Sequence, residues 1–252
     1  MKPAATNTAA IRSAAKAAMA AGLLAILASG VAGCKAVSEV QNAQGVRQFQ
    51  QGQYQAAIQR FQKAVASDPN NANSYYNLAS AYHRLGDLNH RQEDLVEAEN
   101  YYNQCLDHDQ NHRDCYRALA VLLVEEHRSQ EGLRLLENWS NRSPAASAPK
   151  VELARLYQEF GQRDAARAQL LEALSVNPYD AQASAALGRL YEEDGNQSQA
   201  LVNYQRSLGQ NSFQPELAAR ANTIRTAMGT NSAVPPTPGA PRMVDTGSPP
   251  LR

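Results

Sequence analysis

Aromatic residues make up only 6% of the 252-residue chain, cysteine occurs three times, and no long run of valine and isoleucine is present. Without such β-branched runs there is little to favour sheet structure. Charge of one sign is also missing: 24 lysine and arginine residues balance 24 aspartate and glutamate residues. A neutral chain has no strong pull toward nucleic acid or acidic lipid, so neither is expected as a partner on charge grounds. Catalytic signatures are absent as well. There is no Gly-x-Ser-x-Gly, no phosphate loop and no His-Glu-x-x-His. Glu125-Glu126 and Glu192-Glu193 are adjacent carboxylates, but neighbours on a helix diverge by about 100° and do not face each other. The chain reads as a non-enzyme that needs no cofactor.

What it does have is a period. Leu119, Leu153 and Leu187 lie 34 residues apart, as do Gly132, Ala166 and Ala200, and Pro144 and Pro178 close successive units. A period in this range marks a repeat array of helical hairpins. One hairpin cannot bury its apolar face alone, so neighbours must stack, and function lies in the stacked surface. Within a unit, Leu153, Ala154 and Tyr157 fall on one face of a first helix. Ala166, Leu170 and Ala173 fall on one face of a second, with Gly161 at the turn and Asn177-Pro178 at the end. Leu187, Gly188, Tyr191, Gly195, Ala200 and Tyr204 repeat the pattern, with Ser212 in place of the proline. Tyr116, Leu119, Ala120, Leu123, Gly132 and Leu136 give another copy, in which Trp139 takes a position usually given to alanine and predicts wider local spacing. Gly45, Gly52, Ala57, Phe61, Ala64 and Asp68-Pro69 give a first copy whose Gln41, Gln44 and Gln48 make the polar face of an end cap.

These residues resemble the tetratricopeptide repeat, whose signature runs Trp-x2-Leu-Gly-x2-Tyr, then Ala-x3-Phe-x2-Ala, then Pro. The resemblance implies an all-α, right-handed α-solenoid of about five helix-turn-helix units over 38–214, bounded at 38–71, 72–112, 113–146, 147–180 and 181–214. The 72–112 unit is irregular. Tyr75, Leu78, Ala79 and Tyr82 fit its first helix and Gly86-Asp87 its turn, yet Ala98 and Tyr102 arrive seven residues late. Seven residues are nearly two turns, so 89–96 either lengthens a helix or protrudes as a loop. Pro215 then opens a capping helix over 215–228 through Leu217, Ala221 and Ile224. Residues 229–252, with six prolines from Pro235 to Pro250, are expected to form a disordered tail with polyproline II character.

The first 33 residues differ in kind. Lys2, Arg12 and Lys16 precede an uncharged, alanine-rich run from Ala17 to Gly33, and no acidic residue comes before Glu39. That is the layout of a secretory signal peptide, too short for a confident membrane span. Val31-Ala32-Gly33-Cys34 resembles the lipobox of bacterial lipoproteins. The resemblance implies cleavage before Cys34, a diacylglycerol thioether and an amide-linked acyl chain such as palmitate, followed by a short linker over 34–37. Several acyl chains anchor a protein stably where one does not. Lys35 after the cysteine is similar to the sorting pattern for the outer membrane, which places the protein on that membrane, facing the periplasm, in preference to the inner one. The partners implied are therefore a membrane, through the anchor, and protein.

With Cys34 lipidated, Cys105 and Cys115 remain as an even pair in an oxidising compartment. Cys105 falls on an inward helix face and Cys115 begins the next helix, so a disulfide closing this turn is one reading and two buried free thiols another. A third takes Cys105, His108, His112 and Cys115 as zinc ligands, although their spacing matches no known finger and both histidines fall near a turn. The repeat resemblance also implies a peptide groove lined by first helices. Mapped onto this chain, its residues are Tyr76, Ser80, His83, Arg84, Arg117, Val121, Val124, Arg155, Gln158, Arg189 and Glu192, with Arg84, Arg117, Arg155 and Arg189 as a broken basic track. Arginine and tyrosine suit peptide contacts through bidentate and stacking interactions. Tyr76 and Ser80 stand where some relatives carry the lysine and asparagine of a carboxylate clamp, so capture of a peptide's C-terminus is disfavoured. The expected role is an envelope scaffold holding an extended or helical protein segment. The alternative is a transient assembly or secretion factor, of the kind that serves pilus biogenesis or outer-membrane protein assembly.

Overall fold

A computed structural model describes residues 35–231. The leader with Cys34, and the tail from 232 onward, lie outside the described residues. Helices and short connections account for all the described residues, and no strand occurs among them. None of these helices is long and apolar enough to cross a membrane. The chain divides into two compact units, one ending at Ser143 and the other starting at Pro144.

The first unit holds α1 (35–50), α2 (Tyr54–Ser67), α3 (Ala72–Asn89), α4 (Gln92–His108), α5 (Arg113–Glu125) and α6 (Ser129–Arg142). Consecutive helices pack as antiparallel hairpins. Ala57, Ile58 and Phe61 of α2 meet Leu78, Ala81 and Leu85 of α3. Tyr75 and Ala79 of α3 meet Ala98, Tyr102 and Cys105 of α4 and Cys115, Leu119 and Leu122 of α5. Trp139 is 2% exposed and stacks on Tyr116 with ring centroids 4.2 Å apart. Its indole N–H donates to Asn111 Oδ1 at 3.2 Å, so the large ring also fastens the loop before α5. The second unit holds α7 (Ala148–Glu159), α8 (Arg163–Val176), α9 (Ala181–Glu193), α10 (Gln197–Gln210) and α11 (Pro215–Asn231). Val151, Ala154, Ala166, Leu170, Ala173, Ala183, Leu187 and Leu190 form one of its cores. Leu217, Ala221 and Ile224 of α11 close the other against Ala185, Ala200 and Tyr204, which makes α11 the capping helix.

Close approach within a hairpin depends on a small residue facing a large one. A Cβ on Gly45 would lie 2.5 Å from the Phe61 ring, and one on Gly188 would lie 2.6 Å from the Tyr204 ring. Each turn between the two helices of a unit needs a residue in the left-handed region. Gly52, Gly161 and Gly195 fill it at φ 75°, 70° and 76°, while His90 and His127 fill it at 52° and 62°.

The irregular unit corrects one expectation. Gly86 is not a turn residue: it is buried inside α3, where an added Cβ would meet Leu95 of α4 at 2.5 Å. The turn falls instead at His90-Arg91. The extra residues are shared between the arms, with α3 at 18 residues against 13 for α5, and α4 at 17 against 14 for α6. Each arm thus gains about one turn of 3.6 residues. Both arms must grow together, since a lone longer helix would present its added turn with no partner. The stretch 89–96 therefore forms the end of one helix, the turn and the start of the next.

Candidate functional site

Six of the expected groove residues come together in the first unit. Tyr76, Ser80, His83 and Arg84 on α3 and Arg117 and Val121 on α5 line an open concavity of about 280 Å³. The same face of a helix recurs every three to four residues, which is why these positions align. Phe49 of α1, Tyr102 of α4, and Asp87, Asp114 and Ala118 complete it. Phe49 was legible in principle, because it holds in the 38–71 repeat the position that His83 holds in the 72–112 repeat. Tyr102 was not, because the family pattern reads its position as core alone. Val124 is half-buried on α5 and is not part of the lining.

A hydrogen-bonded chain organises the floor. Ser80 Oγ donates to the Tyr76 carbonyl at 2.9 Å, Tyr102 donates its hydroxyl to Ser80 Oγ at 3.3 Å, and His83 Nδ1 lies 3.4 Å from the same hydroxyl. Burial pushes the Tyr102 phenol well above its ordinary value, so it remains a neutral donor. His83 Nε2 meets Glu125 Oε2 at 2.7 Å. Arg117 lies 3.5 Å from Asp114, whereas Arg84 is exposed and makes no hydrogen bond or ion pair among the described residues. Aromatic surface beside a solvated guanidinium suits a peptide carrying both apolar and acidic groups.

Cys105 and Cys115 form a disulfide beneath this site, with Cα atoms 6.7 Å apart and neither residue exposed. The zinc reading loses its ligand set. The two sulfurs are bonded to each other, and His108 stacks on Tyr75 at 4.8 Å and does not join Cys105, His112 and Cys115. His112 caps α5 by accepting from Cys115 N at 3.2 Å and stacks on Tyr76.

The second unit carries the remaining expected residues. Arg155 lies 3.5 Å from the buried Glu152, Gln158 is half-buried and Arg189 is exposed. Glu192 accepts from the Tyr204 hydroxyl and from Arg220 Nε at 3.0 Å, tying α9 to α10 and the cap. Burial acts to raise its carboxyl, but the hydrogen bonds from Tyr204 and Arg220 together outweigh it and hold the group below its ordinary value. That carboxylate is occupied internally. Val151, one turn before Arg155 on α7, is fully buried in the core.

Stacked helical hairpins of this kind define a helical-repeat scaffold for protein interaction. The repeat is the tetratricopeptide repeat: sequence models of the TPR or tetratricopeptide repeat match residues 45–86, 72–112 and 151–215. No curated protein matches the chain by sequence. Among solved structures, a thermophilic TPR protein of Thermus thermophilus is similar at TM-score 0.55 and 22% identity, covering 75% of this chain and 99% of that one. PilF of Pseudomonas aeruginosa is similar at TM-score 0.51 and 15% identity, covering 79% and 87%. PilW, a widely conserved type IV pilus biogenesis factor, is similar at TM-score 0.51 and 18% identity, covering 77% and 86%. At these identities the likeness is one of fold.

Proposed function

We propose that this chain is a lipid-anchored scaffold of the bacterial cell envelope that holds an extended segment of a partner protein in the concavity of its first unit. The observation that carries the reading is the floor of Phe49, Tyr76 and Tyr102 beside the solvated guanidinium of Arg84. An aromatic floor supplies apolar contact and an arginine supplies directional capture of a carboxylate, the two features that dominate protein-binding hot spots. Anchoring through Cys34, with the protein on the outer membrane facing the periplasm, rests on the leader and on Val31-Ala32-Gly33-Cys34. A disulfide between Cys105 and Cys115 is consistent with an oxidising compartment.

A second reading is a transient assembly factor acting on exported clients. It is motivated by the fold shared with PilW, a type IV pilus biogenesis factor. Crosslinking from position 117 in intact cells, followed by mass spectrometry of the captured protein, separates the two. One stoichiometric partner supports the scaffold, and many weak clients support the assembly factor. Arg84→Glu should abolish capture in either case. Unchanged capture in that variant removes the concavity from consideration.

A further inference from the structure

We propose that His83, Asp87 and Glu125 form a divalent transition-metal site of zinc type that ties α3 to α5. Nε2 of His83, a carboxylate oxygen of Asp87 and one of Glu125 all lie within 4.8 Å of one another. His83 Nε2 stands 2.7 Å from Glu125 Oε2 and 3.9 Å from Asp87 Oδ1. Ligands at about 2.1 Å from a tetrahedral zinc are about 3.4 Å apart, so small rotations of two flexible carboxylates would complete the set. Imidazole with two carboxylates suits zinc, and water would take the fourth position.

Electrostatics supply an independent reason. Glu125 is the last residue of α5, and Asp87 lies in the last turn of α3, which carries no basic residue there. Helix C-termini carry partial negative charge and disfavour carboxylates. Neighbouring Glu126 is answered by Arg128 at 3.1 Å. Among the described residues, the one basic side chain that meets both Glu125 and Asp87 is His83. Two carboxylates in unfavourable positions thus converge on a single imidazole, an arrangement that a dication neutralises and a neutral histidine does not. Asp87 sits one turn past His83, still within the helix, because α3 runs on to Asn89.

The imidazole is also held from behind. His83 Nδ1 faces the Tyr102 hydroxyl at 3.4 Å, and Tyr102 is 1% exposed. A metal-bound histidine commonly uses its second nitrogen in this way, which fixes ring and tautomer. Tyr102 would be a positioning residue, not a ligand.

The test is calorimetric titration of Zn²⁺ into the untagged, oxidised, chelator-stripped full chain. One equivalent should bind. Asp87→Asn and Glu125→Gln, both at solvent-accessible positions, should each weaken binding at least tenfold, and Tyr102→Phe should weaken it by about tenfold. Co²⁺ in place of Zn²⁺ should give visible absorption of a tetrahedral centre, lost in both carboxylate variants, with circular dichroism confirming that each remains helical. Absence of binding, binding that survives both carboxylate variants, or binding abolished by His112→Asn would overturn the proposal.

Discussion

Replacing Gly188 with alanine sets two effects of opposite sign against each other. In an unconstrained helix, Gly→Ala stabilises by about 0.5–1 kcal/mol, because glycine loses more backbone freedom on folding. Here the new methyl would sit 2.6 Å from two carbons of the Tyr204 ring and 3.3 Å from the Ala200 carbonyl oxygen. Tyr204 is fully buried and its hydroxyl is bonded to Glu192, so the ring has no free direction in which to move. Overpacking of this kind costs about 1–3 kcal/mol. The cost exceeds the gain, and the net expectation is a loss of about 1 kcal/mol. Gly209, also in a helix, has nothing within 4 Å of an added Cβ, so Gly209→Ala should stabilise by about 0.5–1 kcal/mol. Urea unfolding followed by far-ultraviolet circular dichroism gives the sign. Hydrogen exchange in α9 and α10 localises it, which matters because repeats need not unfold as one. The Tyr204→Leu background should remove most of the Gly188→Ala penalty. If Gly188→Ala matches Gly209→Ala, close approach does not explain the glycine.

Trp139→Ala should destabilise the first unit by about 3–5 kcal/mol in the same assay, even though alanine is the usual residue there, because the Tyr116 ring loses its stacked partner. His127→Gly should stabilise by about 1 kcal/mol, since a non-glycine residue is held at φ 62°; an unchanged urea midpoint would count against strain at that turn. Reducing Cys105–Cys115, which lie ten residues apart, should lower stability by about 3 kcal/mol, read as a fall in thermal midpoint with reductant that Cys105→Ser/Cys115→Ser does not show. The Glu192 carboxyl is held below its ordinary value in the folded chain. Its contribution is therefore present above about pH 4, the unfolded value, and fades as pH falls through the folded one. Wild type should lose its advantage over Glu192→Gln in acid; an advantage independent of pH would refute the assignment.

Much of the fold was legible because the period is carried by residues with a single packing use. Ala154, Leu170 and Leu187 are buried where the pattern puts them. Gly86 misled because glycine answers two needs, positive φ and close helix approach, and sequence does not say which. The turn meanwhile went to His90, a residue that enters the left-handed region less readily than glycine. The first-unit concavity was legible through the repeat resemblance, which maps Tyr76, Ser80, His83 and Arg84 onto groove positions. Asp87 was not, since its presence beside His83 depends on where α3 stops. In the second unit, the repeat resemblance maps Glu192 onto the groove, but could not reveal that Tyr204 and Arg220 would claim its carboxylate.

The lengthened α3–α4 pair carries a rule for rebuilding this chain. Because α3 and α4 lengthen together, that hairpin behaves like a telescoping bracket that extends in steps of about seven residues. Such a step moves the tip outward while leaving every side chain at the base in its old orientation. A graft of seven residues beside His90 should be tolerated, whereas one of four would leave one arm a turn longer than the other.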